Sequence, residues 1–94
     1  MSDDEEWDYR VTARAREDLR ALDAEVAERI VEKLEEVVSS EFRAPPEWLE
    51  PLEQTRYQKL VVGDYRGLLL VRRQESVLEV HHVGHRRNIY DRVL

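Results

Sequence analysis

The chain contains no cysteine, which removes disulfide staples, thiolate catalysis and cysteine-based zinc sites and permits a reducing compartment. No apolar run approaches the ~20 residues of a membrane-spanning helix. The first six residues, Met1-Ser2-Asp3-Asp4-Glu5-Glu6, are acidic where a secretory signal is basic. A cytoplasmic protein with no membrane partner is therefore expected. GxSxG, P-loop, HExxH and dinucleotide fingerprints are all missing, so the commonest hydrolase, nucleotide and zinc-protease chemistries have no foothold. What remains is 94 residues, 41% of them hydrophobic and 38% charged. That is enough for one core and too short for two. A single domain spanning 1–94 is expected, with 1–6 as a mobile acidic leader.

The formal net charge is −6, the wrong sign for a phosphate binder, but the average hides an asymmetry. Residues 1–56 carry 8 Lys/Arg against 17 Asp/Glu, whereas residues 57–94 carry 7 against 4 and hold all three histidines. Any anion-binding function belongs to the second part. An acid excess spread over solvated faces also suits a high-salt protein. At molar salt the Debye length is about 3 Å, so repulsion from the acidic part scarcely reaches a bound polyanion.

Trp7, Tyr9 and Val11 alternate with polar residues and predict a short strand over 7–11. Thr12 follows as a helix N-cap. From Ala13 to about Ser39, Leu19, Leu22, Val26, Ile30, Leu34 and Val37 or Val38 recur at steps of three and four, the stripe of an amphipathic helix. Asp23 is a candidate cap for a second helix, but the apolar phase runs through it and pattern alone leaves one helix or a hairpin open. Pro45-Pro46 ends the helical region, and Trp48, Leu49 and Leu52 are expected to pin the connection to the core. Three strands, Tyr57–Val62, Tyr65–Arg73 and Ser76–Val83, are separated by Gly63-Asp64, a two-residue type II′ turn, and by a weaker turn signal at Gln74-Glu75.

The first turn fixes a register: Val62 opposite Tyr65, Val61 opposite Arg66, Lys59 opposite Leu68. Extended through the second turn, it sets Val71 opposite Leu78, Leu69 opposite Val80 and Leu68 opposite His81. One face then collects Leu60, Val62, Leu69, Val71, Leu78 and Val80 as a core for the helices. The other collects Tyr57, Lys59, Arg66, Arg72, Glu79 and His81 among Val61, Leu68, Leu70 and Val83. Arg86, Arg87 and Tyr90 lie just beyond the last strand, at the Arg66 end. Guanidinium forks grip phosphate oxygens bidentately and stay charged. Lysine stabilises charge building on a scissile phosphate, and tyrosines stack on bases or move protons. His81 and His82, adjacent on a regular strand, point to opposite faces and cannot chelate together. His82 is expected at the core edge, His85 in a local turn bond, and His81 as an auxiliary acid or base.

The segments Tyr57-Gln58-Lys59-Leu60-Val61-Val62-Gly63-Asp64-Tyr65-Arg66 and Val83-Gly84-His85-Arg86-Arg87-Asn88-Ile89-Tyr90 resemble the C-terminal signature of the RelE/ParE toxin superfamily of type II toxin–antitoxin systems. The resemblance extends over nearly the whole chain. It implies an α+β fold, a small antiparallel β-sheet packed against an N-terminal helical hairpin, and so a break at Asp23. It further implies a RelE-like, metal-independent endoribonuclease with no cofactor, cutting mRNA on the ribosome by attack of the ribose 2′-hydroxyl. Arg66 and Arg86 would stabilise the phosphate, Lys59 would act as base or charge stabiliser and Tyr90 as acid/base, with Tyr57, His81 and Arg87 binding substrate. A cognate antitoxin is the implied protein partner. The chain has no DNA-binding motif, so operator binding would reside in that antitoxin. The alternatives within the same resemblance are a ParE-like inhibitor of DNA gyrase and a catalytically decayed antitoxin-binding module.

Overall fold

In the computed structural model, which describes residues 6–94, the Thr12 hydroxyl accepts the Ala15 amide and starts helix α1, Ala13–Ala21. The acidic leader lies, apart from Glu6, outside the described residues. Leu22 and Asp23 then turn extended, with Asp23 the N-cap of α2, Ala24–Ser39. Two extended residues thus break the helical run into a hairpin without glycine or proline, because the apolar phase is kept across the bend. Ile30, Leu34 and Val37 are buried on α2, with Leu19, Leu22, Val26 and Val38 packed around them. Pro45–Trp48 forms one 3-10 turn. The Trp48 ring is held between the Lys33 ammonium, 4.7 Å from its centroid, and the Arg43 guanidinium, 4.3 Å away.

Five strands follow the order β1-β5-β4-β3-β2: β1 Asp8–Val11, β2 Glu50–Pro51, β3 Gln58–Val62, β4 Tyr65–Arg72 and β5 Val77–His85. The α+β class stands. The sheet is mixed rather than wholly antiparallel, since β1 runs parallel to β5. The two-residue β2, which Pro51 confines to an edge, is the other addition to the sequence reading.

Gly63 has φ +59° while Asp64 does not take a positive φ, which is the type II′ geometry. The β3–β4 register is the expected one throughout. The second turn is a four-residue loop over 73–76, closed with Ser76 at φ 57°; its register still sets Val71 opposite Leu78 and Leu69 opposite Val80. A bulge between Leu68 and Leu69 then slips the pairing by one residue, so Leu68 faces His82 and Gly67 faces Val83. The expected Leu68–His81 pair is therefore wrong. A one-residue slip flips side chains between faces: Val83 joins the core, and His82 moves to the outer face.

Beyond Val80, β5 has lost its β1 neighbour, and Asp18 of α1 takes over. Its carboxylate accepts the Val83 amide (3.0 Å), Arg92 Nη1 (2.8 Å) and, more weakly, Arg14 Nε (3.3 Å). Arg92 belongs to α3, Arg86–Val93, a helix absent from the sequence reading, capped by the His85 imidazole accepting the Arg87 amide. Helix α3 packs on β4 and β5. Gly84 permits that approach, since a Cβ there would stand 3.1 Å from Ile89 Cδ1. Leu68 and Ile89 are fully buried yet separate from the main core.

Candidate active site

The outer sheet face carries two groups of side chains joined by Lys59. At the turn end, Arg66 folds back so that its Nη1 donates to the carbonyls of Gly63 (3.0 Å) and Tyr65 (2.9 Å). Its Nε is buried with no partner. The two carbonyl bonds fix the plane of the guanidinium at the turn. Arg86 is fastened to the same turn: its amide donates to the Asp64 carbonyl (2.8 Å) and its Nε lies 3.7 Å from Asp64 Oδ1. Tyr90 follows four residues on, one turn along the same face of α3. Arg66 and Arg86 are thus both tied to the one turn. Arg87 is exposed on the first turn of α3.

Lys59, opposite Leu68, is diagonal to Arg66 on one face, a spacing of about 7–8 Å. Its ammonium lies 3.7 Å from Glu50 Oε1. Val61, opposite Arg66, is exposed and adds no charge.

At the far end Tyr57 packs against both histidines, its ring 5.6 Å from that of His81 and 5.4 Å from that of His82. The bulge makes this arrangement, so adjacent histidines share a face. The expectation that they point apart, with His82 at the core edge, is corrected by that contact. Tyr57 Oη is 3.5 Å from His82 Nε2, and His82 Nδ1 is buried without a partner. Burial, with the charges of Arg14 and Arg92 adding to it, holds the His82 imidazole below its ordinary value. His81 Nε2 bonds Glu79 Oε1 at 2.9 Å. That bond, followed by those from Arg72 and Arg10, keeps the Glu79 carboxyl at about 2 against the opposing effect of burial. Along the strand, Tyr57 and Val61 are four residues, about 13 Å, apart. Among the described residues no group of three or more His, Asp or Glu side chains is placed to hold a metal ion, and no helix is long and apolar enough to cross a membrane.

A sequence model described as the ParE toxin of the type II toxin–antitoxin system parDE matches residues 9–90. The chain belongs to the RelE/ParE superfamily of toxins. The toxin is similar in structure to a chain of the RelBE2 toxin–antitoxin complex of Mycobacterium tuberculosis, with TM-score 0.74, 25% identity and coverage of 86% of this chain and 99% of that one. It is similar too to a chain of the intact E. coli RelBE complex, with TM-score 0.66, 25% identity and coverage of 84% and 95%. A third likeness is to a double arginine-to-alanine variant of the E. coli RelE toxin in the free state, with TM-score 0.65, 26% identity and coverage of 93% of each chain. No curated protein sequence matches it.

Sequence reasoning about this toxin missed three site residues. Asp64, which holds Arg86, was legible only as a turn residue. Glu79 appeared as one polar residue on a face. His82 was assigned by strict alternation, which a bulge breaks without any glycine to announce it.

The pH dependence of stability follows from two of these groups. His82 has a depressed pKa in the folded toxin, so its contribution is complete above the ordinary 6.5 and is lost as pH falls through the lower folded value. Glu79 contributes in full above 4.5 and loses that contribution progressively as pH falls from 4.5 to about 2. Thermal melts between about pH 7.5 and about pH 5 are expected to show a fall in Tm that His82→Phe reduces, since only His82 of the pair titrates there. An equal fall in the variant would contradict this assignment.

Proposed function

We propose that this toxin is a ribosome-dependent endoribonuclease that cuts mRNA by attack of a ribose 2′-hydroxyl on the adjacent phosphate. The reaction leaves a cyclic phosphate and a 5′-hydroxyl. The observation that carries the reading is the pair of arginines fastened to one turn, Arg66 through its Nη1 and Arg86 through its amide and Nε. Preorganised cations are what a pentavalent phosphorane needs, because they stabilise charge that builds only in the transition state. Arg66 and Arg86 hold the phosphate, Lys59 neutralises developing charge, and Tyr90 protonates the leaving 5′-oxygen. Tyr57, His81 and Arg87 bind the flanking nucleotides. A cognate antitoxin is the regulatory partner, as the complexes of the related toxins suggest.

A second reading, inhibition of DNA gyrase without RNA cleavage, is favoured by the ParE description of the matching family and by Val61 standing beside Arg66 where one more cation would strengthen a phosphate site. Purified toxin incubated with mRNA on programmed ribosomes separates the two. New 5′ ends, reduced about a hundredfold in rate by Tyr90→Phe, are expected. Intact mRNA together with blocked gyrase supercoiling would establish the second reading.

A further inference from the structure

We propose that Glu50 and Asp64 are counter-charge residues of the phosphate site, carboxylates that occupy its cations in the free toxin and give way when the RNA backbone arrives. The inference rests on the nuclease reading above and adds to it what sets the affinity of that site for RNA.

Of the three cations assigned to the phosphate, two already face a carboxylate. Strand β2 pairs only Glu50 with Lys59 and Pro51 with Gln58, so its one charged side chain stands directly across from Lys59, where cross-strand partners interact. Glu50 Oε1 lies 3.7 Å from Lys59 Nζ. At the turn, Asp64 Oδ1 lies 3.7 Å from Arg86 Nε. Arg66 gives its Nη1 to main-chain carbonyls instead. Together the five side chains carry one net positive charge in place of three, and the site is weaker for polyanions than its lysine and arginines imply.

These are the two longest ion pairs among the described residues. At 3.7 Å both exceed hydrogen-bonding distance, and their carboxylates are 68% and 66% exposed. The pairs that hold the fold are built differently: Asp18, 8% exposed, meets Arg92 at 2.8 Å, and Glu79, 15% exposed, meets Arg72 at 3.0 Å. An exposed pair without a hydrogen bond adds little to stability and separates readily. The start of α3 does not depend on it either, because the Arg86 amide bonds the main-chain carbonyl of Asp64. What the two carboxylates change is binding. A phosphate drawn to Lys59 or Arg86 must displace one of them, and the affinity measured is what remains after that exchange. The phosphate is charged before and during reaction, so the exchange acts alike on ground state and transition state and appears in KM rather than kcat. Because both pairs are exposed, salt screens them and the penalty falls as ionic strength rises.

The test uses Glu50→Gln and Asp64→Asn, which remove charge and keep shape, with folding checked by thermal melts. Single-turnover cleavage on programmed ribosomes over a range of toxin concentrations is expected to give each variant a KM about fivefold below the parent at about 0.1 M salt, with the saturated rate within about twofold. The gain is expected to shrink below about twofold at about 0.5 M salt. Glu41→Gln, which removes the same charge from an exposed loop beside Trp7 and Phe42, is expected to leave KM unchanged and so corrects for net charge. In a Lys59→Ala background the gain from Glu50→Gln should disappear, since the lysine it freed is gone. Pyrophosphate titrated into the purified toxin, followed by the amide signals of 59–66, is expected to bind Glu50→Gln about fivefold more tightly than the parent with no ribosome present. A KM that both variants leave unchanged, raise, or lower no further than Glu41→Gln does would overturn the assignment while leaving the nuclease intact. So would an equal gain from Glu50→Gln without Lys59, which would mean direct repulsion of RNA. A parent toxin that leaves mRNA uncut would overturn the nuclease reading, and pyrophosphate then decides alone: equal affinity for parent and Glu50→Gln would overturn the counter-charge role as well.

Discussion

Arg66→Ala is expected to slow mRNA cleavage by about two orders of magnitude while leaving the fold nearly as stable as the parent. The size follows from removing one preorganised charge contact to a phosphorane, which costs about 3 kcal/mol of transition-state stabilisation. The selectivity follows from the geometry. Arg66 Nη1 bonds two carbonyls at the turn, and such exposed bonds contribute about 1 kcal/mol or less to stability. They act mainly to set the plane of the guanidinium. Arg66→Lys is expected to recover little, since an ammonium restores charge but not the planar fork. The measurement is single-turnover cleavage of both variants beside their thermal melts. Equal losses of activity and stability would mean that Arg66 supports the turn and nothing more.

Asp18→Ala is expected to lower stability by about 3 kcal/mol, which for a domain of this size lowers Tm by about 12–20 °C. Asp18 lies just at the limit of burial and serves an amide of β5 and a guanidinium of α3 together. Truncation strands both donors in a site of low exposure, and the penalty for unmet groups exceeds the net worth of the bonds themselves. The Arg14 contribution is small because that side chain is half exposed. Asp18→Asn offers a separation: an amide oxygen still accepts the Val83 N–H, but the ionic bond to Arg92 is lost. About half the destabilisation should remain, together with faster amide exchange over 87–93. Melts in which Asp18→Ala matches the parent would show that α1, β5 and α3 are held by apolar packing alone.

Much of this was written in local pattern. The Gly63 turn set the β3–β4 register because only a residue tolerant of positive φ fits there, and with it the common face of Lys59 and Arg66. The four-residue loop after Arg72 kept the expected register because it still joins residues whose pairing places Val71 opposite Leu78. The bulge was illegible, since Leu68 and Leu69 are both apolar and both buried, one on each face, so neither residue signals the slip. Helix α3 was hidden for a different reason. Its apolar content is small and its burial rests on Ile89 entering the space that Gly84 leaves open, a contact between strand and helix that periodicity does not reveal. Alternation set Tyr57, Glu79 and His81 on one face; the entry of His82 into that group is the product of the slip and was beyond its reach.

The cations of the candidate site all come from Lys59 onward, in the part of the chain where Lys and Arg outnumber Asp and Glu. End-group analysis of the RNA fragments made by the purified toxin on programmed ribosomes tests the central claim most directly. The account predicts upstream fragments ending in a 2′,3′-cyclic phosphate and downstream fragments beginning with a 5′-hydroxyl, both abolished to about a hundredth by Arg66→Ala. Fragments beginning with a 5′-phosphate, or unbroken mRNA under conditions that stop gyrase, would contradict it.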